Sequence, residues 1–286
     1  MSFMVITSKE WNIISKQKKD SIFELKLDFG LTKIQAHKTL DKVILGSGIV
    51  ISLDEKVKEN FCYAIEGEML IPIAYFSEIT NKFYKLTPTD DWPTISISSV
   101  PMHKLRSPKE DTENKIGLLK PYGVVLDTCM GLGYSAIMAA NLVKKVITFE
   151  KDENVLLVAK QNPISQALFF KENIEVRIKD VSEAIKEFKD EYFDCITHDP
   201  PTFKLAPELF GAAFYKELYR VLKPKGRLFH YTPLYKISQG YDFPAKIKKK
   251  LIEAGFKFID FSKSAGGMLC VKQEPQQGDV PGKRFL

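Results

Sequence analysis

The 286-residue sequence predicts an α/β protein, in which a mostly parallel sheet with helices on both faces follows a smaller β-rich domain. Three observations carry that expectation. From Tyr122 onward, short apolar runs alternate with stretches of helical period, the rhythm of repeated strand–helix units. The last two apolar runs are joined by Ser264-Ala265-Gly266-Gly267, which reads as a terminal hairpin and makes the final strand antiparallel to its neighbour. Between Ser21 and about Met102, the apolar segments are short, often alternating, and separated by Gly, Asp, Asn and Pro, a β-rich texture.

Taken in order, residues 8–20 predict a short helix with Ser8 as N-cap. Strand candidates follow at Phe23–Leu27, Ile34–Ala36, Val43–Leu45, Ile49–Ile51, Cys62–Ala64, Met69–Ile73, Phe83–Leu86 and Ile95–Ile97, with one or two helical turns expected over Asp54–Asn60. Met102–Pro108 is a polar connector leading into a helix over Asp111–Leu119. Strands are then expected at Val124–Asp127, Val146–Glu150, Ile174–Ile178, Phe193–His198, Arg227–Tyr231, Phe256–Phe261 and Met268–Lys272. The helices between them are Tyr134–Leu142, Glu153 to about Asn162, Val181–Phe188, about Leu209–Leu222 and Pro244–Ala254. Lys223-Pro224-Lys225-Gly226 reads as a turn. The expected organisation is a β-rich domain over 1–110, a larger domain over 111–272, and a loose polar tail over 273–286.

Composition narrows the function classes. The four cysteines (Cys62, Cys129, Cys195, Cys270) are far apart, which argues for a reducing compartment and against a disulfide framework or a structural zinc. The first apolar run is too short for a signal peptide and no stretch reaches transmembrane length, so the cytoplasm is the expected location and no membrane partner is expected. The net charge of +6 is spread thinly along the chain; it permits a nucleic-acid partner without demanding one. The densest basic run, Lys246–Lys250, fits the solvated face of an amphipathic helix.

The stretch that organises the chain is Val124-Val125-Leu126-Asp127-Thr128-Cys129-Met130-Gly131-Leu132-Gly133-Tyr134-Ser135-Ala136. It reads as strand, tight turn and helix, with Gly131 and Gly133 where the backbone turns hard and approaches a ligand. Gly131-x-Gly133-x-x-Ala136 fits the alanine-ended dinucleotide fingerprint, and Glu150 ends the next strand seventeen residues beyond Gly133. Asp127 alters that reading. A pyrophosphate wants backbone N–H groups, and a fixed carboxylate beside it is repulsive. S-adenosylmethionine (SAM) carries a sulfonium and an α-ammonium instead, which a carboxylate suits. A nucleotide-free turn and an NAD site are the alternatives.

Asp127, Glu150, Asp180 and Asp199 each close one of the first four strands of the larger domain, which puts all four on one rim of the sheet, where open α/β sheets bind ligands. Asp199-Pro200-Pro201-Thr202-Phe203 adds a stiff loop whose two prolines lack N–H donors and leave carbonyls to face a ligand. A rigid strand exit without chemistry is the bland alternative. His198 and His230 lie within strands and read as satisfied core or rim histidines; Cys195 reads as a buried structural thiol. His103 in the connector, Tyr215 on a helix and Tyr231 at a strand end are candidates to meet the substrate, each with a plain packing or linker role as the alternative. No metal-ligating set is expected.

The order Asp127, glycine turn, Glu150 resembles the class I SAM-dependent methyltransferases, and residues from about 115 to 272 resemble them throughout. That resemblance implies a Rossmann-like seven-stranded sheet with the last strand antiparallel, and SAM as cofactor. It implies Asp127 on the methionine ammonium side, Glu150 on the ribose hydroxyls, Asp180 on the adenine amino group with Val181 packed on the ring, and Asp199 at the reaction centre. The Asp199 loop resembles the Asp/Asn-Pro-Pro-aromatic loop of amino-group methyltransferases, in which the acid and the first proline carbonyl accept hydrogen bonds from the target NH₂ and the aromatic ring, here Phe203, stacks on the substrate. Thr202 intervenes before Phe203, as in some ribosomal-RNA methyltransferases. Lys145–Asp152 and Phe214–Pro224 look like the spermidine synthases, aminopropyltransferases on the same sheet, and the whole chain is similar to uncharacterised predicted archaeal methyltransferases allied to them. It departs from the spermidine synthases at the glycine turn and at Asp199-Pro200-Pro201. Three functions follow as expectations: methyl transfer to a nitrogen of an RNA, protein or metabolite; aminopropyl transfer from decarboxylated SAM to a polyamine; or a binding module without turnover. The acceptor and any homo-oligomer stay open.

Overall fold

The computed structural model describes residues 4–103, 106–232 and 242–274, so the end of the expected tail, 275–286, lies outside the described residues. The chain forms two compact units. The first comprises Met1–Asp111, Gly131–Ile137 and Asp152–Lys171; the second comprises Thr112–Met130, Met138–Lys151 and Glu172–Leu286.

The first unit holds three small antiparallel sheets. One joins β1 (Val5–Thr7), β6 (Cys62–Glu66) and β7 (Met69–Pro72); a second joins β2 (Ser21–Leu27), β3 (Thr32–Lys38), β4 (Lys42–Leu45) and β5 (Val50–Ser52). The third runs β8 (Ala74–Ser77), β9 (Lys82–Thr87), β10 (Thr94–Ile97) and β11 (Val100–Pro101). Period-two alternation decides which face is buried: Leu25 and Leu27 are in the core while Glu24 and Lys26 face water. Helix α1 (Ser8–Lys16) is capped by Thr7 and not by Ser8 as its sequence suggests. Thr7 stays extended, its hydroxyl oxygen accepts from the Lys9 N–H, and the Glu10 carboxylate accepts from the Thr7 N–H, a capping box that shifts the helix start by one residue. The turns expected over Asp54–Asn60 do not form a helix.

Segments that are distant in sequence join this unit through tyrosines. The Tyr84 hydroxyl donates to Asp152 Oδ2 (2.6 Å) and the Tyr75 hydroxyl to the Asn154 carbonyl (2.6 Å), at the start of a helix over Glu153–Gln161. The Tyr134 hydroxyl donates to the Pro93 carbonyl and accepts from Asn162 Nδ2, and its ring lies 4.9 Å from that of Trp92. Asn162, wholly buried, also accepts from the Ile164 N–H, so one amide ends the helix and starts the 3₁₀ turn Pro163–Gln166.

Gly131 (φ +54°) and Gly133 (φ +79°) sit in the left-handed region that favours glycine. A Cβ on Gly133 would lie 2.2 Å from Leu168 Cδ1, whereas one on Gly131 meets nothing within 4 Å. Gly133→Ala is therefore expected to cost about 2–4 kcal/mol in urea unfolding, the sum of overpacking and backbone strain, and Gly131→Ala about 1 kcal/mol. Equal costs would contradict the close approach to Leu168.

The second unit is built on one seven-stranded sheet. Its strands are β12 (Val124–Asp127), β13 (Lys145–Glu150), β14 (Ile174–Ile178), β15 (Phe193–His198), β16 (Leu222–Tyr231), β17 (Phe256–Ser262) and β18 (Gly267–Lys272), in the order β14-β13-β12-β15-β16-β18-β17. The first five are parallel; β18 runs antiparallel between β16 and β17. This is the α/β architecture the alternating pattern predicts, with the antiparallel ending that the terminal hairpin requires. Strand β16 starts five residues earlier than expected, because Lys223-Pro224-Lys225-Gly226 is a bulge inside the strand: Phe193 pairs with Leu222, yet Cys195 pairs with Arg227. The helix over Ala212–Val221 places Phe214, Tyr215, Leu218 and Val221 on one buried stripe, in a core with Leu126, Ile147, Phe193, Ile196 and Leu228.

Candidate cofactor and transfer site

Because β12 to β15 are parallel and adjacent, their carboxyl ends share one rim, and the acids of the sequence fall on it: Asp127 ends β12, Glu150 ends β13, Asp180 follows β14 by two residues, and Asp199 directly follows β15. The chain leaves β12 towards β13 and β14, then returns to β15 on the other side, so the order reverses at Asp127. Crevices at such reversals are where open sheets hold ligands.

Asp127 is 1% exposed. Its Oδ2 accepts from the Thr148 hydroxyl at 2.5 Å, on the facing residue of β13. Its Oδ1 is buried with no hydrogen-bond partner among the described residues. Burial pushes the carboxyl up to about 7, against the pull of the Thr148 hydrogen bond and with the help of the Asp199 and Glu150 charges. A buried carboxylate oxygen without a donor costs about 1–3 kcal/mol or more, so a fold that keeps one has a reason to. A ligand N–H bearing positive charge would satisfy both the lone pair and the charge. SAM's α-ammonium suits that oxygen chemically; a pyrophosphate does not.

The neighbouring acids are tied down by one lysine. Asp180 caps the short helix Val181–Ala184: its Oδ1 accepts from the Ser182 N–H and hydroxyl, and its Oδ2 lies 3.5 Å from Lys151 Nζ. Burial raises this carboxyl, but those hydrogen bonds and Lys151 outweigh it and hold the group below its ordinary value. Lys151 also pairs with Glu208 at 3.1 Å; burial lowers its ammonium, but Glu208 and Asp180 outweigh that and raise it above its ordinary value. Glu150 accepts from the Lys151 N–H. Val181 is buried in the core beside this cap.

The Asp199 loop is held from within. His198, wholly buried, donates from Nε2 to the Leu209 carbonyl (3.0 Å), pinning the strand end to the far side of the loop. Its Nδ1 then accepts from the Thr128 hydroxyl at 2.8 Å. His230, on the facing residue of β16, donates from Nδ1 to the Tyr231 carbonyl and accepts at Nε2 from the Tyr215 hydroxyl. Burial pushes His198 well below its ordinary value, helped by His230, and pushes His230 down to about 4, so both rings are neutral supports. Pro200 is buried, Pro201 half-buried, and Phe203 is 40% exposed with its ring edge-on to Phe210 and Phe243. The Asp199 carboxylate meets Lys115 Nζ at 2.5 Å.

The structure thus brings Asp127, Glu150, Asp180 and Asp199 to one rim; Pro200 and Pro201 follow Asp199 directly, the Tyr231 ring lies 5.3 Å from the Lys115 Nζ that Asp199 meets, and Phe203 packs on Phe210 and Phe243. Gly131 and Gly133 follow β12 in the chain and belong to the first unit. His103 also lies in the first unit, where its ring meets the Thr94 hydroxyl (3.0 Å) and Asp111 (3.6 Å). Tyr215 corrects the expectation that it meets substrate: it is fully buried and its hydroxyl is spent on His230. Sequence reasoning missed Lys115 and Thr148. Thr148 had a signal, since a threonine facing Asp127 in parallel register is a natural donor; a lysine within a polar helix has none.

Residues 119–272 match a family described as a methyltransferase domain. The chain is 41% identical over 280 residues to the uncharacterised protein MJ1233 of Methanocaldococcus jannaschii, covering 93% of this chain and 95% of that one. A shorter stretch of 91 residues is 32% identical to the polyamine aminopropyltransferase of Prochlorococcus marinus, 30% of this chain and 31% of that one. Among solved structures, a spermidine synthase in complex with the transition-state analogue AdoDATO superposes with a TM-score of 0.55 at 18% identity, over 69% of this chain and 71% of that one. Spermidine synthase from Thermotoga maritima gives 0.53 at 20% identity, over 70% and 71%. These two show a shared fold.

Proposed function

The chain belongs to the methyltransferase-domain family, and from that premise we propose that it binds SAM on the acidic rim and transfers its methyl group to a nitrogen of an RNA, protein or metabolite acceptor. The observation that carries this reading is the buried, unpartnered Oδ1 of Asp127 at the strand-order reversal, on the same rim as the Asp199-Pro200-Pro201 loop. SAM, when bound, supplies an electrophilic methyl on a positively charged sulfur. The chain's own residues then bind and orient. Asp127 Oδ1 accepts from the ammonium, Glu150 from ribose hydroxyls, and Asp180 from the adenine amino group through Oδ2, which it shares with Lys151. Asp199 accepts a hydrogen bond from the acceptor nitrogen, and the Pro200 carbonyl offers a second. Two fixed acceptors turn the nitrogen lone pair towards the methyl, and that orientation, together with exclusion of water, is most of what such a transfer needs.

Aminopropyl transfer from decarboxylated SAM is the second reading, favoured by the stretch similar to a polyamine aminopropyltransferase. It calls for acids free to hold a polyamine. Of the other acids flanking β15, Glu208 beyond the loop is paired with Lys151, while Asp190 and Glu191 lie before the amino end of β15, away from the loop, paired with Arg220 (2.8 Å) and Lys272 (3.3 Å). The test is incubation with methyl-labelled SAM against total RNA, protein and small-molecule fractions, in parallel with decarboxylated SAM and diamines. Label in a macromolecular or metabolite fraction is expected; aminopropyl product alone would replace this reading with the second.

A further inference from the structure

We propose that Lys115 sets the charge of the acceptor: by balancing Asp199 from inside the protein, it admits an uncharged nitrogen, such as an amide, an aromatic amino group or a ring nitrogen, and turns away an aliphatic ammonium. This deepens the methyl-transfer reading and rests on it. Lys115 lies on the helix Pro108–Leu119, 84 residues before its partner. Its side chain is 5% exposed and that of Asp199 is 26% exposed, so the ammonium backs the carboxylate from the core and leaves the carboxylate's outer part to solvent. Nζ contacts Asp199 Oδ2 and lies 5.3 Å from the centroid of the Tyr231 ring, at the end of the adjacent strand β16. Among the described residues no other cation is within ion-pair distance of Asp199.

The rim is therefore divided. At the Asp127 end an acidic oxygen is buried and unpartnered, and the Asp199 and Glu150 charges make it still harder to ionise without a cation. A positive ligand is favoured there. At the Asp199 end the cation is already in place. An uncharged N–H donor can still take the remaining lone pairs of Asp199, because a carboxylate accepts several hydrogen bonds. An ammonium arriving at the same carboxylate would face Lys115 at close range, in a partly buried setting where like charges repel more strongly than in water. Uncharged nitrogen also has the lone pair that the methyl must meet. Methyl passes from sulfur to nitrogen with the sulfur keeping the bonding pair, and an amide, amino or N–H ring nitrogen then gives its proton to solvent water; an ammonium would have to lose its proton first.

The test is calorimetric titration of 1,4-diaminobutane, a dication at neutral pH, into the full chain saturated with S-adenosylhomocysteine. The wild type and Lys115→Arg are expected to bind the diamine at least tenfold more weakly than Lys115→Met, a difference of about 1.4 kcal/mol. Arginine restores the charge, so its rejection of the diamine separates charge from mere filling of space. Lys115→Gln, which drops the charge but keeps a donor to Asp199, replaces the methionine variant if that one does not fold. Diamine binding to the wild type as tight as to the uncharged variant would overturn the proposal. So would collapse of both uncharged variants, which would make Lys115 a structural residue. Failure of the wild type to bind S-adenosylhomocysteine is a separate result: it would remove the methyl-transfer reading before Lys115 is tested.

Discussion

Asp127→Asn is expected to weaken SAM binding by about a hundredfold or more while making the ligand-free protein more stable. Both effects come from one buried oxygen. A charge-assisted hydrogen bond to a buried carboxylate is worth about 1.5–3 kcal/mol, and loss of the charge itself adds to that. For stability, the folded carboxyl stands near 7 while the unfolded value is 3.8. A raised folded value means that the folded chain holds the proton better. The relative stabilisation is complete below pH 3.8, fades as pH rises, and is gone above about 7. Three units correspond to an upper bound of about 4 kcal/mol, and the asparagine amide must itself find an acceptor, so a gain of about 2 kcal/mol at pH 8 is the expected size. Urea unfolding at pH 8 and pH 5 checks this: the variant should be more stable than the wild type at pH 8, and the gap should close at pH 5. A variant that binds SAM like the wild type would remove Asp127 from the site.

Asp199→Ala is expected to lower transfer by about 10²–10³-fold, the usual cost of removing a group that orients and polarises the reacting atoms, with SAM affinity changed by less than about threefold. The substitution also leaves Lys115 buried without its carboxylate, which should cost about 3–5 kcal/mol of stability. Adding Lys115→Met should recover most of that stability without recovering transfer. Single-turnover kinetics with the labelled acceptor and urea unfolding of the single and double variants read the two effects separately. Transfer at the wild-type rate in Asp199→Ala would move the reaction centre elsewhere.

Asp127 and Glu150 were legible because each closes a mostly apolar, mostly buried run, Val124–Leu126 and Val146–Phe149, whereas Asp180 and Asp199 follow strands with polar residues of their own, Glu175 and Arg177 in β14 and Asp194 in β15, and were legible only from their place in the strand–helix rhythm. The succession of strands and helices and the antiparallel last strand were legible in the alternation and the closing hairpin, whereas the order in which the seven strands lie side by side is set by pairing between segments distant in sequence. What escaped is long-range. The Lys115–Asp199 pair joins residues 84 apart, and a lysine on a polar helix carries no mark that distinguishes a buried ion pair from a solvated one. Tyr75, Tyr84 and Pro93 draw residues 131–137 and 152–171 into the first unit through hydrogen bonds spanning 41 to 79 residues, which no local period announces. The bulge at Lys223–Gly226 looked like a turn because it uses turn residues, and only pairing with β15 shows that the strand continues through it. Tyr215 looked available because an amphipathic helix does not say which partner its apolar stripe will meet; here that partner includes His230.

The most direct test of a cation-binding acidic rim is calorimetry of the wild-type chain with SAM and with NAD, at pH 7.5 and at pH 6. Micromolar binding of SAM is predicted, weakening by about tenfold at the lower pH as Asp127 takes up its proton, with no heat from NAD. Binding of NAD with none of SAM, or a SAM affinity indifferent to pH across that range, would contradict the account.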